Sequence, residues 1–335
     1  MLIFWFGFFS FPSSGRFSKD FFGSFTNWDG GHYVGIAQYG YTEKSQYAFF
    51  PLYPLLIKVV NKIVQNYTLS AVLISLVATF FAVNAFYSLV SIDFGKKLAA
   101  SSLWRLLTFP ASFYLMTAYS EGLFLLLVIS TFLFLRKGNL FLATILAAAA
   151  SATRLVGLAL VLALLVEVWS RGGFNRKNWY VFFSFSGFAI YSLFLFNKIG
   201  DPFYYITAEK SWLRSLAIPG IGFWETIKSI ATPGFVEKNI TATLDLLFAV
   251  FGVGMVLRSF RFLRPSYSIY ALASILVPLF TSSLSSIPRF LLPIFPIFIL
   301  IALVQNKYVI YFYQLVSIML LAAFAMLFIN GYWVS

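Results

Sequence analysis

Residues 67–92 read YTLSAVLISLVATFFAVNAFYSLVSI, twenty-six residues without one charged side chain. As a helix, at about 1.5 Å per residue, this stretch is longer than the ~30 Å hydrocarbon core of a bilayer. Lipid offers no water to satisfy backbone amides, so a run this apolar is stable there only as a helix bonded within itself. The remainder of the 335-residue chain repeats the pattern: 60% of residues are hydrophobic, 21% aromatic and 10% charged, against roughly 25% charged in a soluble domain. Similar stretches lie at 98–117, 121–135, 140–153, 155–170, 178–197, 244–258, 266–284, 290–304 and 308–330. They predict an all-α integral membrane protein, a polytopic bundle of about ten or eleven transmembrane helices with outward-facing juxtamembrane helices, in a single membrane domain over 1–335.

The start, MLIFWFGFFSFP, is too short to span and lacks the basic start and cleavage site of a signal peptide. It reads as the last half of a transmembrane helix whose beginning is missing, or as a helix entering partway. After the polar stretch 13–47, FFPLYPLLIKVV carries Lys58 and Lys62 four residues apart, the spacing of an interfacial helix with snorkelling lysines.

The formal charge of +13 is dispersed over loops rather than gathered into a basic aromatic patch, which argues against nucleic acid as a partner. Lysines and arginines instead mark sidedness. Alternate loops hold Lys96 and Lys97, Arg136 and Lys137, Arg171, Arg176 and Lys177, Arg258, Arg261 and Arg264, then Lys307, with Asp93 their acidic companion. That side is expected to be cytoplasmic. The loops 13–47 and 198–243, where acids such as Asp20, Asp29, Glu43, Asp201, Glu209, Glu225 and Glu237 mix with bases such as Lys19, then face outward. The protein is expected to be multi-pass, with its active side extracytoplasmic, in the cell membrane if the source is prokaryotic.

Segments 121–135, 140–153 and 290–304 are fourteen or fifteen residues long, roughly 21 to 23 Å as helices and short of the core. Glu121, Arg154 and Arg289 adjoin their outward ends. Charges at membrane depth face a polar cavity or one another, so the three are expected to line an outward recess; Glu121 paired with an arginine is the alternative. The loop NWDGGHYVGIAQYGY, Asn27–Tyr41, sets Asp29 and His32 among glycines and aromatic rings, which suits a sugar or lipid headgroup. Asp29 could equally cap the helix that starts near Gly30, with Trp28 and Tyr33 as interfacial anchors. P-loop, GxSxG, HExxH and GxGxxG motifs are missing, as is cysteine.

Trp28-Asp29-Gly30-Gly31-His32-Tyr33, Ile36-Ala37, Gly40-Tyr41 and Ala48-Phe49-Phe50-Pro51-Leu52-Tyr53-Pro54 together resemble the PIG-V-like mannosyltransferases, the family related to GPI mannosyltransferase II. Tyr119-Ser120-Glu121, Ser151-Ala152-Thr153-Arg154, Gly200-Asp201-Pro202 with Trp212, and Ser286-Ile287-Pro288-Arg289-Phe290 before Phe295-Pro296 continue the resemblance in order along the chain. The resemblance implies a GT-C-type glycosyltransferase, a hexosyltransferase that moves a sugar from a polyprenyl-phosphate donor to a lipid or glycan acceptor on the extracytoplasmic face. It also implies that an acid in the first outward loop, here Asp29, is the catalytic base. Many relatives carry a DxD or ExD pair in that loop and this chain does not, so no cofactor is expected and a divalent metal lacks its acidic pair.

Residue chemistry points the same way. Displacing a lipid phosphate from an anomeric carbon needs a carboxylate to take the acceptor proton and cations to hold the departing phosphate. Asp29 supplies the first, Arg154 and Arg289 the second. Glu121 orients an arginine or a sugar hydroxyl, while Trp28, His32, Tyr53 and Trp212 contact substrate. Direct displacement with one base, the mechanism that the resemblance implies, gives inversion. The rival readings are a secondary transporter or lipid flippase, for which a repeat and a midplane charge pair are missing while Arg105 and Asp245 stand isolated, and a non-catalytic subunit docking through 198–243.

Overall fold

The computed structural model describes residues 1–17, 20–232 and 236–334, without the side chains of 236–239. Lys19 and the side chain of Glu237 therefore lie outside the described residues. The helices are α1 (Leu2–Ser10), α2 (Asp29–Tyr39), α3 (Leu52–Val64), α4 (Tyr67–Phe94), α5 (Lys96–Leu107), α6 (Glu121–Arg136), α7 (Leu140–Ser151), α8 (Leu158–Ser170), α9 (Ser186–Ile199), α10 (Tyr204–Ala208), α11 (Ile221–Ala231), α12 (Val236–Phe262), α13 (Pro265–Leu279), α14 (Ile287–Leu291), α15 (Pro296–Ala302) and α16 (Lys307–Ile329). Among the described residues there is no strand, only an isolated antiparallel bridge between Leu216 and Thr281.

The expected all-α membrane bundle is present, but its segments are cut differently. Among the described residues four helices are long and apolar enough to cross a bilayer: Tyr67–Phe94, Trp179–Ile199, Ile240–Phe262 and Lys307–Ile329. A fifth is made if the helical turn Pro110–Met116 and α6, bent by 99°, count as one broken span. Residues 98–117, expected as one span, break at Phe109, whose backbone is extended (ψ 141°) ahead of Pro110; proline disfavours a helical residue before it and has no N–H to donate. Residues 290–304 are likewise not one short span. Pro293 and Pro296 fall at the break between α14 and α15, and nearly all of 287–301 is buried in protein rather than facing lipid.

α4 is packed against α6; its small residues Ala71, Ser75, Ala78 and Ala82 are buried, while Val77, Phe80 and Phe81 are exposed on its other side. Small residues let helix backbones approach closely where lipid gives no hydrophobic drive. The approach is close at Gly122: a Cβ there would lie 2.7 Å from the Thr79 hydroxyl and 2.8 Å from the Ser75 carbonyl. The start of α6, and with it Glu121, is thereby fixed. α3 buries Tyr53 and Ile57 and exposes Leu55, Val59 and Ile63 in a stripe beside exposed Lys58 and Lys62, the pattern of a helix lying at an interface.

The far end of α6 carries an ionic cluster. Arg136 Nε and Arg264 Nε donate to the same oxygen of buried Asp93 at 2.8 and 3.2 Å, and the Tyr267 hydroxyl donates to the other at 2.5 Å. Glu121 and Arg136 are the first and last of the 16 residues of α6, about 22 Å apart at 1.5 Å per residue, so this basic end and the end bearing Glu121 are opposite faces of the bundle. Arg105 and Asp245, isolated in sequence, have partners in space: Arg105 donates to Gln314 of α16, and Asp245 accepts from the Ile287 N–H.

Candidate functional site

The loop before α2 is clamped from two sides. Ala118 N–H donates to the Phe25 carbonyl at 3.0 Å, the Tyr119 hydroxyl to the Asn27 carbonyl at 2.8 Å, and the Asn27 amide to the Phe328 carbonyl of α16 at 3.0 Å. Trp28 then takes φ 60°, ψ −123°, a conformation costly for a side chain this bulky and a kind of strain that gathers at functional sites. The kink turns α2 so that its first residue, Asp29, meets Arg289. Trp28, not Asp29, occupies the N-cap position, and no side chain caps the helix; the capping alternative for Asp29 is therefore excluded by the geometry.

Asp29 and Glu121 form one ionic network with Arg154 and Arg289. Arg289 Nη1 donates to Asp29 Oδ2 at 2.5 Å, while Arg289 Nε and Arg154 Nη1 both donate to Oε1 of Glu121. Three further pieces of chain meet the start of α2 here: Arg154 follows α7 with extended backbone, Arg289 lies on α14 behind the left-handed Ser286 (φ 65°), and Glu121 opens α6. Arg289 also lies over Tyr119 and Tyr114, its guanidinium carbon 5.0 and 5.4 Å from their ring centres. A guanidinium has five N–H donors. Arg154 commits one nitrogen and Arg289 two to carboxylates, so both retain donors for a further acceptor.

These groups border a cavity of about 230 Å³ whose walls include Asp29, Tyr33, Phe49, Arg154, Tyr205, Glu209, Trp212, Arg214, Arg289, Phe290 and Trp333. The two acids of the network differ in access: the Asp29 side chain is 13% exposed and that of Glu121 1%. Only Asp29 can meet a ligand; Glu121 stands behind the wall and holds the two arginines in place. Burial pushes the Tyr33 hydroxyl, bonded to Ser120 Oγ at 2.9 Å, up to about 12, with Arg154 opposing, so it is no base near neutrality.

Of the expected contact residues, Trp212 lines the cavity. His32 is stacked on Phe49, ring centres 5.2 Å apart, and edge-on to Trp212 at 4.9 Å, which makes it a support for two wall residues. Tyr53 and Trp28, expected to touch substrate, are not among the residues that line this cavity. Tyr53 is fully buried, its hydroxyl bonded to the Ala71 carbonyl and Ser75 Oγ at 2.9 and 2.8 Å. Trp28 packs on Phe17 and Trp333 and donates to the Tyr332 carbonyl, and Trp333 is the ring that reaches the cavity. Two charged wall residues were not expected, Glu209 and Arg214. The only sequence signal for them is that they flank Trp212. Burial raises the Glu209 carboxyl above its usual range, with Arg214 opposing.

Among the described residues no three of His, Cys, Asp and Glu converge. Asp29, the acid of the network that borders the cavity, faces an arginine rather than a second acid, a donor set that does not suit a hard divalent cation.

A model of the family described as Mannosyltransferase (PIG-V) matches residues 10–193, the part that holds Asp29, Glu121 and Arg154. Human GPI alpha-1,6-mannosyltransferase 2 is 30% identical over 150 residues, 42% of this chain and 30% of that protein. The crystal structure of the Archaeoglobus fulgidus oligosaccharyltransferase in complex with Zn and sulfate aligns with a TM-score of 0.51 over 100% of this chain and 52% of that one, at 15% identity, a likeness of fold. The chain thus spans less than two thirds of the length of either relative.

Proposed function

The chain belongs to the mannosyltransferase family described as PIG-V, and from that premise we propose that it is a membrane glycosyltransferase of GT-C type, moving a hexose, by family mannose, from a polyprenyl-phosphate carrier to a lipid or glycan acceptor. The observation that carries the reading is a cavity walled by three arginines in which the Asp29 carboxylate, held by Arg289, borders the open space, with Glu209 the other acid of the wall. The acceptor oxygen attacks the anomeric carbon and its proton passes to the Asp29 carboxylate. The bond from that carbon to the carrier oxygen breaks, the electron pair leaves with the phosphate, and the arginines stabilise the developing charge. Attack opposite the leaving group inverts the carbon. Arg289 holds Asp29 in position, Glu121 holds Arg289 and Arg154, and Trp212 offers a sugar ring an apolar face.

Purified protein given polyprenyl-phosphate [³H]mannose and a lipid extract as acceptor is expected to form labelled glycolipid. In vesicles, movement of the labelled donor across the bilayer without transfer would instead support a flippase.

The reading also places the cavity on the extracytoplasmic side, because the opposite end of the bundle carries the basic loops. The chain has no cysteine, so single cysteines report cleanly. Lys44→Cys and Lys228→Cys are expected to react with an impermeant maleimide added to intact cells, and Lys137→Cys only after lysis. The reverse pattern would turn the protein over.

A further inference from the structure

The cavity holds one more arginine than its ion pairs use. Arg289 is bonded to Asp29 and Glu121, and Arg154 to Glu121. Half-buried Arg214 is different: among the described residues no carboxylate lies within ion-pairing distance of it. Its Nη2 donates to the Ser285 carbonyl at 2.5 Å and its guanidinium carbon lies 4.8 Å from the centre of the Phe290 ring. Arg154 lies 5.7 Å from the same centre, so the two guanidinium carbons are at most about 10.5 Å apart, the sum of the two. The segment that carries Arg214 is fixed. Ala217 N–H donates to the Phe280 carbonyl and Ser282 N–H to the Ser215 carbonyl, each at 2.9 Å, and the hydroxyls of Ser215 and Ser282 are also 2.9 Å apart.

A desolvated cation without an anion is unfavourable, and an entering anion removes that penalty. Displacement geometry then selects among the three arginines. The base lies within about 3 Å of the acceptor oxygen, that oxygen about 3 Å from the anomeric carbon, and the leaving oxygen beyond it. Base and phosphate grip are thus separated by on the order of 7 Å or more, across the sugar. Arg289 sits in contact with Asp29, on the base's side, and cannot at once hold Asp29 and a phosphate leaving from the opposite face. Arg154 is drawn to the same Glu121 oxygen as Arg289. Arg214 has neither tie.

We propose that Arg214 is the residue that grips the phosphoryl group of the donor, with Arg154 and Arg289 shaping the field around it. This rests on the reading that a phosphate-linked sugar is the donor. The same phosphoryl chemistry could reach the cavity on a lipid or on a nucleotide, so binding to detergent-solubilised protein is measured with undecaprenyl phosphate, the neutral undecaprenol and GDP. Wild type is expected to bind undecaprenyl phosphate at least about tenfold more tightly than undecaprenol. Arg214→Gln, which keeps a donor for the Ser285 carbonyl, loses that preference with undecaprenol binding and melting temperature unchanged. Arg214→Lys keeps charge but not the planar fork and falls between. An Arg214→Gln protein with wild-type phosphate preference overturns the proposal and leaves the donor reading standing. Wild type that prefers GDP, with the preference lost in Arg214→Gln, keeps Arg214 as the grip and removes the lipid carrier. Wild type that prefers neither phosphorylated probe removes both. Should Arg214→Gln melt early, Arg214→Lys decides: a several-fold loss of affinity supports the grip, and undiminished affinity overturns it.

Discussion

Asp29→Asn is expected to lower sugar transfer at saturating donor by about two or more orders of magnitude, with a melting temperature in detergent close to that of wild type. Asparagine keeps the shape and an oxygen for Arg289, and Arg289 retains Glu121, so the network loses a charge at its more exposed edge rather than in its buried centre. What disappears is the proton acceptor. Capping cannot account for a loss of transfer, since the N-cap is Trp28 and the Asp29 carboxylate is turned to an arginine. Glu209→Gln is the informative companion, because Glu209 is the other carboxylate of the cavity wall and its raised pKa suits a base. Transfer retained in Asp29→Asn and lost in Glu209→Gln would move the base to Glu209.

Glu121→Gln is expected to have the largest effect on stability, on the order of 3 kcal/mol or more. Breaking a buried ion pair by neutralising one partner leaves the other charge uncompensated, and here one 1%-exposed carboxylate serves two arginines. The side chains are nearly the same size, so packing changes little and the loss reports electrostatics. Arg154→Gln added to Glu121→Gln should recover part of it, because one stranded charge goes with its partner; thermal melts of the two single variants and the double variant form the cycle that measures this. If Glu121→Gln melts within a degree or two of wild type, the network does not hold the site together.

The parts of this protein legible from its residues are those that depend on local chemistry. A stretch such as 67–92 announces a helix in lipid because each residue's transfer preference and each amide's need for a partner are satisfied within the stretch itself. Glu121, Arg154 and Arg289 could be singled out for a related reason: a charge beside an apolar run shorter than a bilayer is conspicuous wherever the rest of the chain goes, whereas Asp29 stood out by its loop of glycines and aromatic rings and by the family resemblance. Window averaging also hid something, since Pro110, Pro293 and Pro296 sit in apolar runs and break helices that hydropathy alone joins. Which charges meet was decided only in three dimensions. Glu121 and Arg289 are 168 positions apart and Asp29 and Arg289 are 260 apart, and no local preference encodes that one carboxylate oxygen serves two arginines. Tyr53 and Trp28 looked like ligand platforms from their motif, yet packing buried the first and turned the second onto Trp333. Arg214 went unremarked and Glu209 served only as a marker of sidedness, because charges in a polar loop are ordinary; the pairing of 215–217 with 280–282 fixes the segment of Arg214 at the cavity wall, where desolvation makes a charge a costly group that a ligand can satisfy.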